Sequence, residues 1–234
     1  MSEWAPKRFW KSVKVDREGE GFAVRLDGRL VKTPAKKNLI LPSQTMAERV
    51  AGEWEAVEDR ITPETMPWTR SANAAIDKVS LQRNEVIDHL IGYAGSDLLC
   101  YRASDPSSLV ERQNQEWSPI LGWCQDRFDI QLKTTSGVMP VTQPAEGLDR
   151  LKRVMTPMGS FHLTGFHDLV TLSGSYVLAL AVIEGFRDTD AAWQASQLDE
   201  NWQAEQWGVD AEASEAAEIK RQAFIHAAKL YQAA

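Results

Sequence analysis

The sequence has 234 residues, of which 43% are hydrophobic and 25% charged, and its formal net charge is −7. This composition is ordinary for a soluble globular protein and excludes a disordered or fibrous chain. The negative charge argues against nucleic acid as a partner, because no broad basic field is available to neutralise phosphates. The nine tryptophans are more informative, since Trp is common in protein interfaces as well as in cores.

Cysteine usage and apolar run lengths indicate a cytoplasmic protein without membrane insertion. Cys100 and Cys124 lie in the apolar contexts DLLCYR and LGWCQD, which are typical of reduced, buried thiols. The longest apolar run, YVLALAVI at 176–183, is far shorter than the roughly 20 residues of a membrane span. The N-terminus MSEWAPKRFW has neither a signal-peptide core nor an Arg-rich presequence.

The first forty residues are predicted to form β-strands. Residues 9–16, FWKSVKVD, alternate and are rich in β-branched side chains. Within 22–33, Asp27-Gly28 separates two alternating runs, which is a strong hairpin signal because both turn residues tolerate positive φ. A further strand is predicted at 37–42, KNLILP.

Such a small antiparallel sheet needs a helix to cover one face. Residues 43–59 are predicted to supply it, with Ser43 as N-cap and apolar side chains at helical spacing, namely Met46, Val50, Trp54 and Val57. The segment 61–69, ITPETMPWT, has two prolines and no period, so we expect an irregular hinge there.

The rest of the chain is predicted to be helical. Helices are expected at 71–102 with breaks near Gly92 and Gly95, at 109–128 around Pro119, at about 144–155, at 169–185, at about 188–207 and at about 211–232, with an extended piece at 130–141. The predicted fold class is therefore α+β with two domains. Residues 1–66 form a small β-rich N-terminal domain with a covering helix, and residues 67–234 form an all-α C-terminal domain.

Signals for catalysis, metal binding or cofactor binding are weak. His162 and His167 in FHLTGFHD are five residues apart, so on a helix they point about 140° apart rather than to one metal ion. In GSDLLCYR, Ser96 or Asp97 is better suited to cap a helix than to act in a nucleophile elbow. With no Walker loop or GxGxxG motif, we expect no catalytic residues, metal or cofactor. A small-molecule or metal-dependent enzyme that uses His162 and His167 remains the alternative.

The segment QLDENWQAEQWG at 197–208 interleaves aromatic and acidic residues. A continuous helix over 188–207 would carry two faces at about 100° per residue. One face would be Ala191, Ala195, Leu198, Trp202 and Glu205, and the other Trp193, Gln197, Glu200, Ala204 and Trp207. The first suits packing on the bundle. The second face has two interpretations. In one, Trp207 is simply the last residue of the helix before a C-terminal Gly208, and Glu200 is solvated. In the other, the face binds a protein through aromatic anchors surrounded by polar groups.

Taken together in chain order, several motifs resemble one known family. They are RFWKSVKV, GFAVRLDGRLVKTPAKKNLILP, the run from AGEWEAV to ITPETMPWTRSANAAID, SDLLCYRA, EWSPILGW and LDENWQAEQWG, from about Arg8 to Gly208. The chain is identified by them as a member of the assembly chaperones for the catalytic head of F-type ATP synthase. This family attends the alpha subunit in mitochondria and alphaproteobacteria.

The resemblance implies a binding protein rather than an enzyme, and it agrees with the fold predicted from the patterns. Members of the family bind the unassembled alpha subunit and prevent its aggregation until the beta subunit takes over. The family pattern near the C-terminus carries over to Glu200, Gln203, Trp207 and Gly208, and an important glutamate of the family matches Glu200 better than Glu205. The predicted partner-binding residues are therefore Glu200, Glu205, Trp207, Gln203 and Trp193.

Two further expectations concern the cellular compartment and the range of client proteins. The missing presequence indicates the bacterial cytoplasm, whereas eukaryotic relatives work in the mitochondrial matrix. A general holdase, which would protect many unrelated clients, is the second alternative to a chaperone dedicated to the alpha subunit.

Overall fold

The computed structural model describes residues 6–137 and 139–234. The N-terminal part contains one antiparallel sheet of four strands, β1 (Val13–Glu18), β2 (Gly21–Leu26), β3 (Arg29–Leu30) and β4 (Ile40–Leu41). Strand β2 is central: it pairs with β1 from Val13↔Leu26 to Glu18↔Gly21, while β3 and β4 pair with opposite ends of its other edge. The first strand begins at Val13, so the predicted start at residue 9 is wrong.

The predicted hairpin turn is confirmed. Asp27 and Gly28 have φ angles of 48° and 79°, the left-handed conformation that such a turn requires. The Asp27 carboxylate accepts hydrogen bonds from the backbone N–H groups of Lys11 and Ser12. These bonds to the charged form lower the pKa of Asp27, and they hold the chain before β1 against the turn.

The covering helix is also confirmed, as α1 (Gln44–Glu55). The Ser43 hydroxyl accepts a 3.2 Å hydrogen bond from the backbone N–H of Met46, as an N-cap should. Met46 and Val50 are fully buried against the sheet. Trp54 is half-buried and its ring lies edge-on to that of Trp10, with centroids 5.2 Å apart. The helix ends four residues before the predicted position at 59.

One expectation about the next segment is wrong, and another is correct only in part. The hinge at 61–69 was expected to lack a helix, but α2 (Pro67–Ala74) begins inside it, because proline is well tolerated at the first helical position. Of the breaks predicted near Gly92 and Gly95, the one at Gly95 is confirmed, because a helix ends there. A further break at residues 80–82, after a π-helical turn at Ala75–Val79, was not predicted. Gly92 is inside α3 (Arg83–Gly95), where a glycine costs only about 1 kcal/mol of helix propensity.

The middle of the chain contains a strand pair that the periodicity did not predict. After a 3₁₀ turn at Leu98–Cys100, β5 (Tyr101–Arg102) pairs in parallel with β6 (Thr135–Ser136). Helix α4 (Ser107–Phe128) between them continues through Pro119 as predicted. Val138, within the extended piece expected at 130–141, lies outside the described residues, as do residues 1–5 of the N-terminal motif.

The remaining elements are helices, and two predicted helices, at 169–185 and at 188–207, are each divided. They are α5 (Ala145–Val154), α6 (Ser160–Ser173), α7 (Tyr176–Ile183), α8 (Thr189–Ser196), α9 (Leu198–Trp207) and α10 (Ala211–Ala233). A single helix was expected at 169–185, but Gly174 has φ 70° and Ser175 caps the new helix α7 through its hydroxyl. Seven successive α7 residues are buried, in agreement with the predicted central position.

By their contacts, the residues form two compact units. One comprises Met1–Arg83, Gly159–Gly165 and Lys229–Ala234, and the other comprises Asn84–Met158 and Phe166–Ala228. The predicted fold class, a small β-rich N-terminal part followed by a helical part, is confirmed. The predicted boundary after residue 66 stays a prediction. Across the described ranges, the helices are all too short or too polar to span a lipid bilayer.

Candidate partner-binding site

The segment predicted as one helix at 188–207 consists of two. Asp188 caps α8 by accepting a 2.9 Å hydrogen bond from Ala191 N–H. The chain then leaves helical geometry at Gln197, where φ is −103° and ψ is 18°, and α9 starts at Leu198. Because this break rotates α9 relative to α8, the continuous two-faced helix predicted across Gln197 is wrong.

Trp193 therefore does not lie on an exposed face. Its side chain is only 3% exposed, and its ring packs at 5.6 Å from that of Phe224 in α10. The prediction that Trp193 shares a free surface with Glu200 and Trp207 is a misassignment, caused by extending the helical period through the break. Trp193 belongs to the core that supports α9.

The other predicted residues lie on α9 and are exposed. Glu200, Gln203 and Trp207 are spaced i, i+3 and i+7 and so share one side of the helix. We call these three residues the α9 surface. Trp207 is 76% exposed, and its ring meets the half-buried Trp202 edge to face at 5.9 Å. Among the described residues, no cation forms a salt bridge with Glu200.

Glu205 points to a different neighbour. Its two carboxylate oxygens accept hydrogen bonds of 3.0 and 2.9 Å from Arg112 Nη1 in α4. These bonds raise the pKa of the Arg112 guanidinium, because they favour its charged form. Both partners are exposed, so the ion pair stabilises the fold by at most about 1 kcal/mol. Glu205 is thus paired within the chain, while the Glu200 carboxylate faces solvent.

A polar network that the sequence reasoning missed fixes the start of α9 on α4. Asp199 accepts a 2.7 Å hydrogen bond from Nε2 of Gln113, whose own Oε1 accepts from Ala103 N–H at 2.8 Å. The guanidinium of Arg102 donates to the carbonyl oxygens of Gln113 and Leu99. Arg102 is buried, and this desolvation lowers its pKa.

A second connection joins α4 to the end of α8. The indole Nε1 of Trp117 donates a 2.8 Å hydrogen bond to the Ala195 carbonyl oxygen, and the Trp117 side chain is fully buried. The guanidinium carbon of Arg102 lies 5.2 Å from the centroid of the Trp117 ring, within cation–π range. The motif EWSPILGW therefore supports the end of α8 through Trp117, and Arg102 of SDLLCYR holds Gln113, which supports α9.

Asp97 in the first of these motifs is a fully buried carboxylate. Its oxygens accept hydrogen bonds from Leu99 N–H at 3.0 Å, from the Ser175 hydroxyl at 2.8 Å and from Val177 N–H at 2.9 Å. The predicted capping role of Asp97 is confirmed, and it extends to the first turn of α7. Desolvation is the main cause that raises the pKa of Asp97 to about 6, although these hydrogen bonds oppose the rise.

The side chains considered for metal or thiol chemistry do not assemble a site. The His162 ring packs edge-on to Tyr231, whereas His167 contacts Asp168 and the ring of His89. Among the described residues, no group of three or more His, Cys, Asp or Glu side chains could hold a metal ion. Both cysteines are free and buried, and desolvation raises the pKa of each thiol to about 12, which makes them poor nucleophiles.

The chain matches the model of a known protein family. The model of the ATP12 family, described as ATP12 chaperone protein, matches residues 7–125. That range includes the sheet, α1 and most of α4.

Individual relatives extend the similarity to the whole chain. The mitochondrial protein atp12 of Schizosaccharomyces pombe is 22% identical over 221 residues, which cover 89% of this chain and 76% of the relative. The crystal structure of Atp12 from Paracoccus denitrificans has a TM-score of 0.94 with 43% identity and covers 98% of this chain and 99% of its own. An aspartate-to-lysine mutant of the same protein also has a TM-score of 0.94. A proposed chaperone from Agrobacterium tumefaciens has a TM-score of 0.92 with 38% identity, covering 97% of this chain and 86% of its own.

Proposed function

Because the chain belongs to the ATP12 chaperone family, which serves the assembly of ATP synthase, we propose that it captures the unassembled alpha subunit of the catalytic head. In this proposal it shields the surface of alpha that later faces beta and releases alpha when beta binds. Membership of a chaperone family favours a binding protein over an enzyme. The bacterial cytoplasm remains the predicted compartment.

The observation that carries the proposal is the exposure of the α9 surface. An indole that is 76% exposed is costly to leave in water, and aromatic anchors beside polar groups are typical of protein interfaces. The Glu200 carboxylate, on the same side of α9 about two turns before Trp207, is free to pair with a cation of the client. The Asp199–Gln113 hydrogen bond holds α9 in place, so little order has to be gained when a partner docks.

The chaperone would act by mass action. An unassembled subunit exposes apolar surface that would otherwise lead to aggregation, and a bound chaperone lowers the concentration of that free subunit. Release requires that beta bind alpha more tightly than the chaperone does. One exposed tryptophan, Trp207, on the same side of α9 as the Glu200 carboxylate suits this moderate affinity, because peripheral charges mainly set the encounter rate and specificity.

The test is a charge-reversal series on complex formation with the alpha subunit of the same organism. Glu200→Lys is expected to reduce the yield of the complex on size-exclusion chromatography at least tenfold, without a change in Tm. Glu20→Lys is the matched control, because Glu20 is exposed in the turn between β1 and β2 and the change in net charge is the same. Glu205→Lys is expected to have the smaller effect, since its carboxylate is already paired with Arg112.

Three outcomes would count against parts of the proposal. A wild-type yield with Glu200→Lys removes this residue from the interface. An equal loss of complex yield with Glu20→Lys would attribute the effect to the change in net charge rather than to the site. Equal protection of an unrelated aggregating protein, such as heated citrate synthase, would favour a general holdase over a dedicated chaperone.

A further inference from the structure

The N-terminal unit contains a cavity that the proposed role of α9 does not use. It has a volume of about 530 Å³ and lies beside β3, α1 and the start of α2, a size within the usual range of ligand-binding clefts. We propose that this cavity is a separate docking site for an extended polypeptide segment of a partner, in which carboxylates flank apolar side chains. The proposal does not depend on the identity of the client that binds α9.

The wall of the cavity is mainly apolar. Leu30, Trp54, Ile61 and Met66 contribute to it from four different parts of the chain. Phe9 also lines it, is 64% exposed and stands edge-on to the buried Trp10 at 5.1 Å. An exposed aromatic ring beside an apolar cleft is a typical anchor for a partner's apolar side chain.

The rim of the cavity is cationic. Arg29, Lys32, Lys36 and Arg70 line it and are exposed, and the described lining residues include no carboxylate. Among the described residues, the first three of these cations form no salt bridge. This concentration of cations is notable in a chain whose net charge is −7, because the overall field would repel an acidic segment from most other surfaces.

Two carboxylates contact lining residues, and one of them, Glu53, is attracted to Arg70, so the unpaired rim cations are Arg29, Lys32 and Lys36. The Glu53 oxygens accept hydrogen bonds from the backbone and hydroxyl of Thr69 and from Trp68 N–H. The Asp77 oxygens accept from the Thr33 hydroxyl and from Ala35 N–H. Both groups are therefore engaged in holding the fold.

The occupant follows from these two features. Apolar walls favour Leu- or Phe-like side chains, and unpaired cations at the mouth favour Asp or Glu beside them. A basic segment would be repelled by the rim, and a purely apolar one would leave the rim charges unused. The chemistry thus differs from that of α9, where a free carboxylate favours a basic partner surface.

The test uses a fluorescein-labelled ten-residue peptide that alternates Leu with Asp or Glu, and a control peptide with Lys at every acidic position. Fluorescence anisotropy with the full chain is expected to show binding of the acidic peptide at least tenfold tighter than that of the Lys peptide. The affinity should fall between 50 mM and 500 mM NaCl, since ion pairs at an exposed rim are screened by salt.

Variants locate the binding site. Arg29→Glu/Lys32→Glu should weaken binding of the acidic peptide at least tenfold, and Phe9→Ser should weaken it at least threefold through the apolar wall. Lys14→Glu/Lys220→Glu, at two exposed sites outside the cavity, produces the same net charge and should change affinity less than threefold. Thermal unfolding checks that each variant is folded.

The proposal is overturned if the acidic peptide does not bind, if it binds no more tightly than the Lys peptide, or if the rim and control double variants lose affinity equally. Failure of alpha capture leaves these expectations unchanged, so the two proposals are tested separately.

Discussion

Asp97 offers a prediction in which the structure determines the sign of a pH effect. Its buried carboxylate joins the 3₁₀ turn before β5 to the first turn of α7 through Leu99, Ser175 and Val177. Burial raises its pKa from 3.8 to about 6. Between these two pH values the folded state holds a proton that the unfolded chain has released. Its contribution to stability is therefore fully present below pH 3.8 and is lost as the pH rises through about 6.

The size of the effect follows from the same two pKa values. A difference of one in pKa equals about 1.4 kcal/mol, so the rise from 3.8 to about 6 corresponds to about 3 kcal/mol at neutral pH. Asp97→Asn removes this titration. The substitution also replaces one carboxylate oxygen, which accepts hydrogen bonds, with an amide N–H₂ group, which faces the same donors. This loss of hydrogen bonds should cost about 1–3 kcal/mol at every pH.

The assay is urea unfolding followed by circular dichroism, from pH 4.5 to pH 7.5. The free energy of unfolding of Asp97→Asn minus that of the wild type is expected to increase with pH by about 1.4 kcal/mol per pH unit up to about pH 6 and then to level off. Asp149→Asn is the control, because Asp149 is exposed, and its difference from the wild type should stay flat. A flat difference for Asp97→Asn as well would refute the link between burial and titration at this site.

Two further substitutions and one double-mutant cycle test the packing described above. Trp117→Phe leaves the Ala195 carbonyl without its indole donor. The free energy of unfolding, measured by urea titration, should therefore fall by about 2–4 kcal/mol. A decrease below about 0.5 kcal/mol would contradict the assigned hydrogen bond. Trp54→Arg places a charge beside the sheet core and should lower stability by about 2–3 kcal/mol, whereas Glu58→Arg, at an exposed site, should leave Tm unchanged. Equal Tm values for both would argue against the N-terminal packing. A double-mutant cycle on Arg112 and Glu205 should give a coupling energy below about 1 kcal/mol, and a value above about 2 kcal/mol would show that the pair is structural.

The parts of the fold predicted correctly are those fixed by neighbouring residues. The hairpin follows from Asp27-Gly28 because both residues take positive φ, and α1 follows from the Ser43 cap and the apolar spacing behind it. These signals act over a few residues, so a single sequence contains them in full.

The errors occur where distant residues or a single backbone angle decide the outcome. One non-helical residue, Gln197, rotates α9 relative to α8 and moves Trp193 from the predicted free face into the core. Nothing in the local pattern marks this residue, because glutamine is a good helix former. The Asp199–Gln113 hydrogen bond joins residues 86 positions apart, and a periodicity argument contains no information on such pairs.

The same distinction between local signals and long-range contacts applies to the predicted binding residues. Helical spacing placed Glu200 and Trp207 on one side of the helix, Gln203 came from the resemblance, and the structure has all three exposed. The sequence separated Glu205 from Glu200 by helix face and by the resemblance, but only the structure identifies Arg112 as the ion-pair partner of Glu205. A helical period gives the side of a helix on which a residue lies, but it does not identify the neighbour on that side.

The central claim, a chaperone dedicated to the alpha subunit, is tested most directly by co-expression with alpha from the same organism. Size-exclusion chromatography with light scattering measures the soluble complex, and purified beta subunit is then added. The account predicts that alpha stays soluble in a complex with this chain and that beta displaces the chain from alpha. If alpha aggregates to the same extent with and without the chain, or if beta leaves the complex intact, the account is contradicted.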